Sequence, residues 1–293
     1  MSERLHGTIT ASHGFQYLVR SGDKTWQCVS RGKQKGYACG DEVIIQPSSA
    51  SQAVIERMLD RRNLLYRSVA HRSKLIAANV DQMIIVTAPE PTPYELLLNR
   101  CLVAAESAGI PAIICVNKAD LGLGAQAWMD RLAGYASLGY RLVKISAHHD
   151  VSSLQPWLAG KTNVLVGQSG MGKSSLVNAL VPEAASATGE ISQALDSGKH
   201  TTTGARMYQI NADTRIIDSP GMQVFGLNHV AADQLDNLFP EFRPLIGECR
   251  FSNCRHRHEP GCAIQTAFAS GHIMAQRMEA YLDILQELER FSS

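Results

Sequence analysis

The sequence predicts a multidomain chain of three units: an N-terminal β-barrel of the OB type, a central α/β nucleotide-binding domain, and a C-terminal helical metal-binding module. Three observations predict it. Five short β-like segments, broken by Gly-containing turns, fill the first ~60 residues, a count that suits a small closed barrel. Strand-like and helix-like segments then alternate around Gly167-Gln-Ser-Gly-Met-Gly-Lys-Ser-Ser175. Cys249, Cys254, His256 and Cys262 cluster near the end of the chain.

The chain has 293 residues, of which 45% are hydrophobic and 19% charged, a globular composition with room for more than one core. No apolar run reaches membrane-spanning length, and the first residues do not read as a signal peptide. Seven cysteines, an odd number, argue against a disulfide framework and for a reducing, cytoplasmic compartment. Net charge is only +1, but residues 1–74 carry 12 Lys/Arg against 6 Asp/Glu and the remainder 16 against 21. A basic N-terminal unit on an acidic body points to a polyanionic partner, or else to an ordinary solvated surface.

In the first unit, 1–70, the strand candidates are Leu5–Ala11, Phe15–Arg20, Thr25–Ser30, Glu42–Gln46 and Val54–Leu59. Arg31, Lys33 and Lys35 share a Gly-bounded loop of the kind that tracks nucleic-acid backbones on OB barrels. An SH3-like barrel that binds protein is the alternative. Asp60 to Arg67 adds three cations beside an aromatic, and Val69–Asn79 reads as a linker.

In the second unit, 75–225, buried-strand runs fall at 80–88 and 110–116, and a helix spans Tyr94 to Gly109, with Gly109 as its C-cap. A further helix over 128–138 and a strand over 141–145 continue the alternation, which implies a largely parallel sheet. Asn163–Val166 reads as a strand and Ser174–Leu180 as a helix start. Between them the glycine-rich stretch fits G-x-x-x-x-G-K-[ST] through Gly167, Gly172, Lys173 and Ser174. Residues 167–175 (Gly167, Gln168, Ser169, Gly170, Met171, Gly172, Lys173, Ser174 and Ser175) would point backbone N–H groups at phosphate, helped by the helix N-terminus. Lys173 would neutralise the β- and γ-phosphates, and the Ser174 hydroxyl would join a Mg²⁺ shell.

Asn117-Lys-Ala-Asp120 follows the 113–116 strand, at the strand end where α/β sheets bind ligands. The Asp120 carboxylate can accept from both guanine N1–H and the N2 amino group. Adenine offers no such pair, so Asp120 selects GTP and GDP over ATP. Asn117 would tie this loop to the phosphate loop, and the Lys118 stem, next to Ala119, would cover the base. Ser146-Ala147-His148, one strand–helix unit later, could offer backbone N–H groups to guanine O6. Thr214–Ile217 reads as a strand ending in Asp218-Ser-Pro-Gly221, with Asp218 holding Mg²⁺ through water and the Gly221 N–H meeting the γ-phosphate. Between these, in Gly198-Lys-His-Thr-Thr-Thr-Gly204, one threonine, taken as Thr202, would close on Mg²⁺.

In the third unit, 226–293, three thiolates and an imidazole within fourteen residues suit one tetrahedral structural Zn²⁺, with His258 as an alternative to His256. Arg243, Arg250, Arg255 and Arg257 surround the cluster and could meet RNA phosphates. The final helix, from about His272 to Arg290, carries an apolar stripe of Met278, Tyr281, Leu282, Leu285 and Leu288, most simply packed on this module.

The four nucleotide motifs are those of a Ras-like GTPase in rotated order, with the guanine-reading pair ahead of the phosphate loop. With the barrel before them and the Cys/His knot after, the chain resembles the circularly permuted small-ribosomal-subunit GTPases, the RsgA/YjeQ family, over essentially its whole length. The resemblance implies GTP hydrolysis stimulated by the small (30S) ribosomal subunit, contact with its rRNA, and a role in late maturation of that subunit. It also implies His256 as the fourth zinc ligand. Met222 stands where many GTPases place a water-orienting Gln, and the resemblance implies that His200 takes this role; Gln223 is the competitor. No obligate partner surface is legible, so a monomer is expected. Because the Asp218-Ser-Pro-Gly221 loop runs straight into the third unit, hydrolysis is expected to move that unit.

Overall fold

A computed structural model describes residues 4–32, 36–69, 72–184, 204–220 and 225–292. His200, Thr202, Gly221, Met222, Gln223, Lys33 and Lys35 lie outside the described residues.

The first five strands are β1 (Leu5–His13), β2 (Gln16–Ser21), β3 (Lys24–Ser30), β4 (Glu42–Pro47) and β5 (Gln52–Met58). They run in the order β1-β2-β3-β5-β4, and a β1–β4 pairing closes the ring. The β3–β5 contact is parallel and the others antiparallel, which is the five-stranded Greek-key barrel expected of an OB fold. Alternating inward residues fill it: Ile9, Val19, Trp26, Cys28, Val43, Ile45 and Ile55 are buried together.

The stretch expected as a linker is instead the second arm of a hairpin, β6 (Leu64–Val69) against β7 (Arg72–Ala78). Its exposed start hides a buried end: Ser73 and Lys74 are exposed, while Ile76, Ala77 and Ala78 in a row are buried, as is Leu65 on the facing arm. A bridge between Cys39 and Ala77, with the Ala78 N–H donating to Cys39 O at 2.8 Å, fastens the hairpin to the barrel.

The central domain contributes β8 (Gln82–Thr87), β9 (Ala112–Val116), β10 (Arg141–Lys144), β11 (Thr162–Val166), β12 (Arg206–Gln209) and β13 (Arg215–Asp218). Strand order is β10-β9-β8-β11-β13-β12, parallel except for β12. β8 and β11 lie in the middle and are buried at every residue, as strands covered on both faces must be. Their side chains divide by parity. Met83, Ile85, Val164 and Val166 join the core under α1 (Glu95–Ala108) and α2 (Leu123–Ser137). Ile84, Val86 and Leu165 join the core under α3 (Gln155–Leu158) and α4 (Lys173–Leu180). As expected, Gly109 caps α1 in the left-handed conformation, with φ 64°.

The C-terminal unit has α5 (Ala263–Ala269) and α6 (Ala275–Ser292). The apolar stripe of α6 does not serve its own unit alone. Met278, Tyr281, Leu285 and Leu288 share one core with Leu98, Cys101, Leu102 and Ala105 of α1, against which α6 packs. At the other end, β12 pairs with β1, so the sheet of the central domain continues into the barrel. Among the described residues no helix is long and apolar enough to cross a membrane.

Candidate functional site: a nucleotide cradle and a Cys/His metal centre

Because β8, β9, β10, β11 and β13 are parallel, their carboxyl ends share one edge of the sheet, and every described nucleotide motif sits on it. β9 delivers Asn117 to Asp120, β10 delivers Ser146 and Ala147, β11 delivers Gly167, and β13 ends on Asp218. β12 runs the other way, pairing Arg206 with Asp218, so its first residues start from the same edge.

The phosphate loop is shaped by two glycines that nothing else can replace. Gly167 has φ 141°, and a Cβ there would strike the Val86 carbonyl. Gly172 has φ 90°, and a Cβ there would strike Asn117 Nδ2. Lys173 begins α4, is 6% exposed, and folds over the loop, donating to the carbonyls of Gly167 and Gln168 at 2.8 Å each. Burial lowers its pKa, and the Asp218 carboxylate opposes that shift. Ser169, Gly170 and Ser174 are exposed on the outer side of the loop. Gln168 is braced from outside: its Oε1 accepts from the Tyr94 N–H at 2.9 Å, and its Nε2 donates to Thr92 O at 3.1 Å.

Asn117 is 2% exposed and joins three segments. Its Nδ2 donates to Met171 O in the phosphate loop at 3.0 Å, and its Oδ1 accepts from the Ala147 N–H at 2.9 Å. The Ser146 hydroxyl donates to Asp120 Oδ1 at 2.5 Å. That bond is the first cause holding the exposed Asp120 carboxyl below its ordinary pKa, so the group stays an anion with its outer oxygen toward solvent. Lys118 takes a left-handed backbone, φ 62°, and its Nζ donates to Glu90 O at 2.8 Å, which lays the stem along the loop beside Asp120. The amides of Ser146 and Ala147, read as partners for guanine O6, are engaged by Asp150 O and Asn117 Oδ1.

Asp218 Oδ1 is buried with no hydrogen-bond partner. Burial raises its carboxyl pKa to about 6, and Lys173 opposes the rise. A buried carboxylate oxygen without a donor, beside the phosphate loop, fits a site for a hydrated divalent cation. Among the described residues of the phosphate loop, the exposed Ser174 hydroxyl is a further oxygen that could hold such a cation.

In the C-terminal unit the ligand atoms of Cys249, Cys254, His256 and Cys262 all lie within 4.8 Å of one another. Cys249 Sγ is 3.9 Å from Cys262 Sγ and 3.6 Å from His256 Nδ1, and His256 Nδ1 is 3.4 Å from Cys262 Sγ. Tetrahedral zinc with Zn–S near 2.3 Å implies S···S of about 3.8 Å and S···N of about 3.5 Å, so the donor set fits that ion. Asp236 Oδ2 stands 3.7 Å from the far ring nitrogen of His256, the place of an orienting carboxylate. His258 is exposed and outside the cluster. The knuckle is held by Glu259, which accepts from the amides of Arg255, Arg257 and His258. Burial would raise its pKa, yet those N–H donors hold it down to about 2.

Sequence reasoning missed Gln168's brace and the orphaned Asp218 oxygen. Neither has a signal in spacing, since both depend on what the fold brings near. Two grooves between barrel and sheet, lined by Thr8, Glu42, Met207 and Arg215 among others, belong to the domain seam rather than to the nucleotide edge.

A glycine-rich phosphate loop, a guanine-reading Asp and a buried Asp at one sheet edge, with the guanine strand ahead of the phosphate strand in the chain, define a circularly permuted P-loop GTPase. The RsgA GTPase family model matches residues 58–228. The small ribosomal subunit biogenesis GTPase RsgA of Neisseria meningitidis serogroup B is 51% identical over 281 residues, covering 96% of this chain and 91% of that protein. Its counterpart in Nitrosospira multiformis is 50% identical over 288 residues, covering 98% and 92%. Among solved structures, YjeQ from Thermotoga maritima superposes with a TM-score of 0.75 at 30% identity, covering 98% of this chain and 99% of that one. YloQ, described as a circularly permuted GTPase, gives 0.72 at 26% identity, covering 98% and 96%. The chain belongs to the RsgA GTPase family.

Proposed function

We propose that this GTPase hydrolyses GTP to GDP and phosphate while bound to the small (30S) ribosomal subunit, and that it acts in late maturation of that subunit. The observation that carries the nucleotide reading is Asn117, whose one side chain bonds both the phosphate loop and the segment that braces Asp120. The relatives' printed names supply the subunit.

In this reading Asp120 accepts from the guanine N1–H and N2 amino group, and the Lys118 stem covers the base. The amides of 167–175 and the Lys173 ammonium hold the β- and γ-phosphates, which requires Lys173 to release the two loop carbonyls it now bonds. Mg²⁺, when bound, neutralises charge on the β- and γ-oxygens. Ser174, Thr202 and Asp218 are the side chains that would hold it. Gly221 meets the γ-phosphate, and His200 orients the attacking water, with Gln223 as the competing candidate. Cys249, Cys254, His256 and Cys262 hold a structural zinc that keeps the arginine-rich knuckle in shape. The basic barrel and this knuckle are the surfaces offered to rRNA. The protein works as a cytoplasmic monomer.

One assay tests this: GTP turnover alone and with purified small subunits, large subunits or tRNA. Stimulation by small subunits alone is the expected result. Stimulation by another RNA would move the activity to that RNA, and no stimulation or turnover would leave a GTP-dependent RNA-binding adaptor.

A further inference from the structure

Arg100 lies in the middle of α1, 5% exposed, and none of the nucleotide or metal motifs includes it. A buried guanidinium needs partners for five N–H donors, and where it finds them shows what it joins. Its Nη2 donates to two carboxylates of α6, Asp283 Oδ2 at 2.9 Å and Glu287 Oε2 at 2.5 Å. Its Nη1 points the other way and donates to the Phe225 carbonyl at 3.4 Å. Phe225 stands four residues beyond Gly221, the residue read as meeting the γ-phosphate.

We propose that Arg100 is the coupling residue between nucleotide state and the C-terminal unit: it reads the position of the Phe225 carbonyl and passes it to α6 through Asp283 and Glu287. This rests on the reading of the chain as a GTPase that cycles between GTP and GDP.

Three observations support it. The first is contrast with the other clasp between the same helices. Arg277 of α6 is fully buried, bonds both carboxylate oxygens of Glu241 at 2.6 and 3.1 Å, and donates to Asn99 Oδ1 of α1 at 2.9 Å. Among the described residues, its hydrogen-bond partners lie in α1 or the C-terminal unit, so it fixes the helix pair without touching the nucleotide edge. The second is the length of the Phe225 bond. At 3.4 Å it sits at the long end of the hydrogen-bond range, so a shift of a few tenths of an ångström makes or breaks it. The third is the state of the two acids. The Asp283 and Glu287 side chains are 49% and 27% exposed and stay solvated, but Arg100 is 5% exposed, so it keeps both acids rather than be left an unpaired buried charge. The clasp is therefore tight toward α6 and weak toward Phe225, so the Phe225 bond is the one that switches. Phe225 is itself fully buried in the core shared by α1 and α6, so its displacement disturbs the same packing.

The test is hydrogen exchange of the full-length, zinc-loaded chain with GDP and with a non-hydrolysable GTP analogue plus Mg²⁺, followed over residues 275–292. In the wild type, protection is expected to differ severalfold between the two nucleotides. Arg100→Met should bring that difference within about twofold, with zinc content and unstimulated turnover kept within about twofold of wild type. The double variant Asp283→Asn/Glu287→Gln cuts the link on the α6 side only and should give the same loss, which covers the case in which Arg100→Met folds poorly. No nucleotide-dependent difference in the wild type, or a difference that survives the double variant, overturns the proposal. None of these measurements contains a ribosome, so failure of the subunit reading would show separately, in the turnover assay.

Discussion

Replacing Asn117 by alanine is the sharpest perturbation the nucleotide edge offers. The side chain is 2% exposed, and truncation strips Met171 O and the Ala147 N–H of their bonds at 3.0 and 2.9 Å. Each buried polar group left without a partner costs about 1–3 kcal/mol, so the two together cost about 2–6 kcal/mol. Part of this appears as lost stability of the nucleotide-free protein. The rest appears as affinity, because a bound nucleotide must order two loops that no longer order each other. An even division predicts GTP and GDP binding weakened by roughly 5–150-fold, with both nucleotides affected alike. ATP should remain rejected, since Asp120 and its Ser146 donor are untouched. Calorimetric titration with the three nucleotides, beside chemical denaturation of the free protein, reads both parts. Affinity within twofold of wild type together with unchanged stability would refute the bridging role. Loss of the preference for GTP over ATP would show that Asn117, not Asp120, reads the base.

Other outcomes follow from the same structure. The Asp218 carboxyl, raised by burial to about 6, binds a proton more tightly folded than unfolded. Nucleotide-free protein should therefore lose stability as pH rises from about 4 to about 6 and level off above that, a dependence absent in Asp218→Asn. Mg²⁺-dependent GTP binding should weaken below about pH 6, where this carboxyl holds its proton; a flat profile through that range would contradict the assignment. Metal analysis should find one zinc per chain, and Cys249→Ala/Cys254→Ala should lose it and lower the Tm of the whole chain, because the zinc-bearing unit shares its core with α1. Arg31→Ala/Lys33→Ala/Lys35→Ala should flatten the salt dependence of RNA binding by roughly 2–3 units of log–log slope while unstimulated GTP turnover holds.

Much of this protein is legible in its sequence. The five barrel strands and the strand–helix alternation of the central domain declare themselves by apolar period and turn residues, which are local properties. The phosphate loop and Asn117-Lys-Ala-Asp120 are legible because a backbone cradle and a base-reading carboxylate each need a fixed run of residue types. Other features were not. The arm Arg72–Ala78 reads as a linker because it opens on polar residues, of which Ser73 and Lys74 are exposed, and its buried run, Ile76, Ala77 and Ala78, is three residues long. The α6 stripe names an apolar face but not its partner, and only the packed chain shows that α1 supplies it. The sequence by itself determined the chemistry available: a phosphate grip, a guanine reader, a thiolate cluster. The tertiary structure alone decided which of these meet. Asn117 and Met171 are 54 residues apart in the chain, and Arg100 and Glu287 are 187 apart. Strand order and helix docking close those distances, and neither leaves a trace in local spacing.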